Sequence, residues 1–427
     1  PHLDLEDGMG TVQVVSETEM RVDLRLSCKP SQITVDWDQI IVDTNPTNNF
    51  WKAPIRWRFA PLYTTLEETD LTNAYDRWNV LFGPWIYRAA YDDPWYTRTT
   101  LIGARVGAYR TQRVNTGAYL AYRTDFRDVV AGVDGVLSNW PVPRMRLGFN
   151  AEQRLATFQG GRDVAFRGAG FARYLIQNGS SLYLPAFQYV ESYGMYSDNF
   201  LPFQRNAPPD AQRFDSTMVG GAHYHLNYLT PYWDPSGGIQ VDVTYAGGKV
   251  DLPRGEDNLH QVFGQVATVQ PLPDLSKWID SPFTRYLAKT RVAVRGYGAA
   301  ATPDDAALFT MGGGTLFRGY DQAERQGSAI WIASVEWRMP LVENVKWDVL
   351  DHVLGARNVH LALFYDVGST YVNGRSIDGV SHAVGAGLRI DVALFGFIER
   401  ATMRFDVAKT VNDDTPMQFW VGMLHPF

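Results

Sequence analysis

The chain has 427 residues, 39 Lys and Arg against 46 Asp and Glu, a net charge of −7, and one cysteine. That balance, with no dense basic tract, excludes a nucleic-acid-binding surface, and a lone Cys28 excludes an intrachain disulfide. No window is apolar enough for a transmembrane helix, while 13% aromatic residues and 38 glycines exclude a disordered chain and argue against an ordinary helical one.

The sequence starts at Pro1 rather than Met, so a processed or truncated start is expected, with any signal peptide or upstream domain lying before it. Residues 1–75 read as a short β element and a linker. Thr11–Val15, Arg21–Leu26, Ile33–Trp37 and Ile40–Val42 have strand character, Thr44–Asn49 is turn-like, and Tyr63–Asp70 is polar. Asp4, Glu6 and Asp7 read as a solvated acidic start.

From residue 76 the period is two rather than 3.6. In Ser328–Leu341, Ala329, Trp331, Ala333, Val335, Trp337, Met339 and Leu341 share one face, with Ser334, Glu336 and Arg338 on the other. Val359, Leu361, Leu363, Tyr365 and Val367 oppose His360, Asp366 and Gly368. Val384, Ala386, Leu388, Ile390 and Val392 oppose Gly385, Gly387, Arg389 and Asp391, and Ala401, Met403, Phe405 and Val407 oppose Arg400, Thr402, Arg404 and Asp406. Met218, Ala222, Tyr224 and Leu226 oppose Thr217, His223 and His225, and Ile239, Val241 and Val243 oppose Gln240 and Asp242. Successive strand side chains point to opposite faces, so each segment is a two-faced strand.

A soluble β-sandwich alternates in the same way. Its strands are usually about 5–6 residues long, however, and these run well beyond that. Their apolar faces carry Gly, Ala, Tyr and Trp as a lipid-facing band does, and their polar faces are dense in Arg, Asp and Glu. A sheet in a bilayer must close on itself, because every backbone hydrogen bond has to be internal. The expected fold is therefore all-β: a transmembrane antiparallel β-barrel over 76–427. Its sixteen strands are expected near 76–90, 96–110, 114–125, 127–137, 143–158, 162–176, 181–192, 212–229, 238–249, 257–270, 283–297, 328–341, 357–367, 379–392, 398–408 and 416–427. Long loops are expected at 193–211, 271–282 and 298–327. The row Arg285, Lys289, Arg291 and Arg295 is expected to face the lumen, balanced by carboxylates such as Asp391 and Asp406.

After the eleventh strand comes Met311-Gly312-Gly313-Gly314-Thr315-Leu316-Phe317-Arg318-Gly319-Tyr320. A Gly-rich run followed by Arg-Gly-Tyr resembles the sixth-loop motif of the BamA-type (bacterial surface antigen) superfamily of outer-membrane insertases and translocases. Two further features match in order: Glu336-Trp337-Arg338-Met339-Pro340 resembles the family's Glu-x-Arg-x-Pro strand, and Phe364-Tyr365-Asp366-Val367-Gly368 its Phe-x-Asp-x-Gly strand. The chain then ends on Phe427, like the terminal signal of many outer-membrane barrels. The specific likeness covers about 300–427.

The resemblance implies a bacterial outer-membrane barrel, preceded by a periplasmic element, that helps to insert or translocate polypeptides. It implies that Arg318 lies at the tip of an extracellular loop folded into the lumen, paired with Asp366 and with Glu336. Gly312, Gly313 and Gly314 would let that loop turn back, and Phe317, Gly319 and Tyr320 complete the motif. The implied partners are outer-membrane lipid and lipopolysaccharide, client polypeptides and accessory outer-membrane proteins, with no nucleic acid. The first and last strands would form a weak seam, since Gly422 and Pro426 interrupt the last one. The periplasmic repeats of the family's insertases need paired helices, and residues 1–75 have no such pattern. The alternative reading is therefore a barrel that anchors, or forms a pore for, an upstream enzyme domain (patatin-like or metallophosphatase) or a partner protein.

No catalytic site is expected. Gly312–Gly314 is followed by no Gly-Lys-Ser/Thr, so it is no phosphate loop, and no Ser sits in a Gly-x-Ser-x-Gly elbow. His223 and His225 share a polar face and could hold a metal with Asp215 or Asp242, but the favoured reading is a hydrogen-bonded pair. No metal and no cofactor are expected.

Overall fold

The computed structural model describes residues 10–16, 20–35, 49–63, 77–88, 100–110, 113–124, 128–157, 165–177, 188–198, 216–230, 235–252, 255–304, 308–322, 324–343, 345, 347–349, 354–394 and 398–423. Among the described residues, sixteen strands that pair in sequence order form the wall. The first eight are β1 (Trp78–Arg88), β2 (Thr100–Arg110), β3 (Val114–Arg123), β4 (Asp128–Ser138), β5 (Met145–Thr157), β6 (Phe166–Gln177), β7 (Gln188–Asp198) and β8 (Ser216–Asn227). The second eight are β9 (Gly238–Leu252), β10 (Gly255–Pro271), β11 (Arg291–Thr302), β12 (Ala329–Val342), β13 (Leu354–Val372), β14 (Ser381–Leu394), β15 (Ile398–Thr410) and β16 (Gln418–Met423). Each pairs antiparallel with its sequence neighbours, and the sheet closes into a barrel.

Alternation places the two faces. Exposed apolar side chains girdle the outside, among them Phe82, Val106, Phe149, Val243, Val266, Trp331, Val335, Leu363, Leu388 and Val421. The inside is charged yet buried: Arg105, Glu152, Arg167, Glu191, Asp242, Arg295, Glu336, Asp366, Arg389 and Asp406 all point inward. An apolar outside with a polar inside is the reverse of a water-soluble sandwich.

The structure moves two expected strands. The seventh is Gln188–Asp198 rather than 181–192, so residues 193–198 are strand and not loop. Here Tyr189, Tyr193 and Met195 turn inward while Ser192 and Gly194 face out, so the pattern that marks the other strands is blurred. The eleventh begins at Arg291 rather than 283. Pro282–Leu287 is instead a short helix, because Ser281 and Thr284 form a reciprocal capping box and Pro282 sits in the first turn. Of the expected lumen row, Arg285 is thus exposed and pairs with Asp280 at 2.6 Å, and Lys289 pairs with Glu343 at 2.5 Å. Arg291 donates to the Pro235 carbonyl at 2.8 Å, and only Arg295 is fully enclosed.

The seam also differs. β1 and β16 do not meet directly: a short segment, Ile55–Phe59, lies between them in the ring and pairs in parallel with β1. Its outward residues Ile55, Trp57 and Phe59 lie beside Trp78, Val80 and Phe82, and the Phe59 and Phe82 rings sit 5.6 Å apart. Pro84 in β1 lies where this parallel pairing is interrupted, so its missing N–H breaks no regular ladder, and its carbonyl accepts from the Tyr63 N–H at 2.6 Å. Two small ribbons, Gly10–Val14 with Met20–Leu24 and Ile33–Thr34 with Phe50–Trp51, precede the segment. Asp4, Glu6, Asp7, Pro426 and Phe427 lie outside the described residues.

Candidate functional site

The β11–β12 connection enters the barrel. Phe309–Met311 and Arg325–Gly327 form a two-stranded stalk. At its end Gly312 and Gly313 take φ of 135° and 97°, a region that side chains disfavour and that turns the chain back. The tip closes on itself: the Gly313 N–H donates to the Tyr320 carbonyl at 3.1 Å, the Leu316 N–H to the Gly313 carbonyl at 3.2 Å, and Phe317 stacks on Tyr320 at 4.8 Å. Gly314 packs against the Trp420 ring, where a Cβ would come within 3.1 Å. A Cβ on Gly319 would come within 2.5 Å of Ala383, so only glycine lets the loop lie this close to the wall.

Arg318 is buried at the tip. Its Nε and Nη2 donate to Asp366 Oδ2 and Oδ1 at 2.9 and 2.8 Å, a side-on bidentate pair, and its backbone N–H donates to the same carboxylate at 3.1 Å. Nη1 donates to Glu336 Oε2 at 2.7 Å. The guanidinium lies 3.4 Å above the Phe364 ring. Phe364 in turn packs against Gly385 of β14, where a Cβ would sit 2.2 Å from the ring. Burial works against the arginine's charge, but the Asp366 and Glu336 carboxylates outweigh it and raise its pKa above the ordinary guanidinium value.

The network continues around the wall. Arg389 donates to Glu336 at 2.8 Å and to Asp406 at 2.5 Å. Arg338 donates to Glu336 at 2.8 Å, and Arg404 lies 3.3 Å from Asp406. Arg295 caps the loop from β11, donating to the Leu316 carbonyl at 2.7 Å and to that of Thr315. On the far side the Trp420 indole N–H donates to the Arg318 carbonyl at 2.8 Å. A second anchor holds Tyr320, whose hydroxyl donates to Asp413 and lies 2.6 Å from the Ser381 hydroxyl. Burial and the Asp413 carboxylate push that phenol's pKa up, which keeps it a donor. Arg325 completes this anchor at 3.2 Å from Asp413.

Arg318, Glu336 and Asp366 are therefore in contact, and Gly312, Gly313, Gly314, Phe317, Gly319 and Tyr320 shape the same tip. Phe427 lies outside the described residues. Sequence reasoning did not assign Phe364, Gly385, Arg389, Asp406 and Trp420 to the site. Their inward or outward face was readable, but their register across neighbouring strands was not. Away from the loop, His223, His225 and Asp242 come together on the inner wall, while Asp215 lies outside the described residues.

The arrangement is a polar lock: a buried arginine at the loop tip is held by carboxylates of the wall. A search of curated proteins finds no match. Among solved structures, BamA from Haemophilus ducreyi lacking POTRA domains 1–3 is similar at 13% identity and a TM-score of 0.47, over 82% of this chain and 73% of that one. The Omp85 superfamily domain matches residues 184–423, more than half of the chain. The chain belongs to the Omp85 superfamily and is a β-barrel of the bacterial outer membrane.

Proposed function

We propose that this barrel assists the insertion or translocation of polypeptides at the outer membrane, and that its working element is the seam between β1 and β16. The observation that carries this reading is the parallel segment Ile55–Phe59 on the β1 edge. A strand edge covered by only a short parallel segment has backbone groups to offer once that segment leaves, and an incoming β-segment adds to such an edge by main-chain hydrogen bonding. Parallel pairing is slightly weaker per residue than antiparallel pairing, so the occupant is suited to exchange. The Arg318 lock supports the reading from the other side. It braces the wall from β12 to β16, so that opening is confined to the seam.

The test is a disulfide across the seam, W57C with V80C, in a chain whose exposed Cys28 is changed to Ser. Purified barrels in proteoliposomes would be assayed for accelerating the folding of a urea-denatured outer-membrane barrel, oxidised and then reduced. Loss of acceleration on oxidation and recovery on reduction is expected. Equal acceleration in both states, with the crosslink verified, overturns the proposal.

A further inference from the structure

A second polar constellation lies on the inner faces of β8 and β9. His223 and His225 are two residues apart on one strand, so both side chains point inward. Asp242 stands directly across from His225 and diagonal to His223. His225 Nδ1 lies 2.7 Å from Asp242 Oδ1, and His223 Nε2 lies 3.2 Å from that same oxygen. The three ligand atoms all fall within 4.8 Å of one another. In a tetrahedral site with bonds of about 2.0–2.1 Å, ligand atoms stand roughly 3.3 Å apart. The two His–Asp distances lie near that spacing, and the imidazoles need close by no more than about 1.5 Å to complete it.

The supporting groups are placed as a metal site requires. Gln240 Nε2 donates to Asp242 Oδ2 at 2.8 Å, which fixes the carboxylate and turns Oδ1 towards the imidazoles. The Tyr189 ring holds both histidines, stacking on His225 at 4.8 Å and meeting His223 edge-on at 5.4 Å. Glu191 lies across from His223 on β7 and is bonded to Arg173 at 2.7 Å, so the charge of that guanidinium is already paired. Preorganised rings and a carboxylate oriented by its neighbour keep reorganisation on binding small.

We propose that His223, His225 and Asp242 form a divalent transition-metal site on the barrel's inner wall. Two imidazoles and one carboxylate are a borderline donor set that suits Zn2+ and leaves a fourth position open to water or to a ligand in the lumen. Bound metal would staple β8 to β9. The inference does not depend on the insertion reading, because its measurement is binding.

The experiment is a Zn2+ titration of the purified full chain in detergent against a chromophoric chelator, with Co2+ absorption as a second readout of coordination. One equivalent per chain is expected, with ligand-field bands of a four-coordinate Co2+ site. H223A and H225A should each weaken binding at least about tenfold, and the double variant should abolish the bands. The heat-shifted electrophoretic mobility of each variant confirms that the barrel is folded. Absence of a stoichiometric site in the parent chain, or unchanged binding in the folded double variant, overturns the proposal.

Discussion

Arg318 satisfies the requirement that a buried guanidinium fill its donors. Two go side-on to Asp366, one to Glu336, and the flat face rests on Phe364. Arg318→Ala would leave both carboxylates buried with one partner fewer. Breaking such a network costs about 3–5 kcal/mol, to be read as a lowered urea midpoint of the heat-shifted band. Arg318→Lys keeps the charge but loses the bidentate geometry, so only part of the loss should return. An unchanged midpoint for Arg318→Ala would show that the contact carries no stability. Gly385 offers a subtler test, since a side chain there strikes the Phe364 ring. Gly385→Val should cost about 1–3 kcal/mol as overpacking. The cost should shrink in the Phe364→Ala background, and full additivity would refute the contact. Arg318, Glu336 and Asp366 were legible in the sequence because period two fixes which side chains share a face and the resemblance supplied the loop. Arg389, Asp406 and Trp420 were not, because which residue stands opposite which across several strands depends on register, and register leaves no local mark.

At the scale of elements, alternation was readable wherever large apolar residues face lipid and charged ones face inward. It weakened in β7, where tyrosines and a methionine turn inward, and it misled at Pro282–Leu287, where an alternating stretch is helical because its cap residues close a turn. The seam segment was not readable as a wall strand: at five residues it is too short for a crossing, and its partner edge is defined only once the barrel has formed. Its ladder holds a specific weak point. The Trp78 N–H donates to the Pro54 carbonyl and the Ala60 N–H to the Phe82 carbonyl. Regular parallel spacing would next bring the Ala60 carbonyl to the N–H of residue 84. That residue is proline and has no donor, and the ladder resumes displaced, with Tyr63 donating to Pro84. Pro84→Ala supplies the donor and should strengthen the seam by about 0.5–1.5 kcal/mol. The expected outcome is a higher urea midpoint with slower client insertion. A rise in midpoint with an unchanged insertion rate would separate seam strength from activity.

For the whole molecule, lock and seam are joined by one residue. Trp420 lies on β16, the last and shortest wall strand, and its indole N–H holds the Arg318 carbonyl at 2.8 Å. β16 is thus tied by its ladder to β15 on one side and through Trp420 to the loop, which Glu336 and Asp366 bind to β12 and β13. Whatever loosens the loop therefore loosens β16 first, and β16 borders the seam. Trp420→Phe removes the donor while keeping an aromatic ring against Gly314. The lost hydrogen bond is worth about 1 kcal/mol, which corresponds to roughly fivefold faster amide exchange where that bond limits opening. The increase should be confined to Gln418–Met423, with β12 to β14 unchanged. Equal acceleration across β12–β16 would mean that Trp420 supports the barrel as a whole. No acceleration in β16 would mean that the ladder to β15 alone holds this strand, and the loop would then have no mechanical route to the seam.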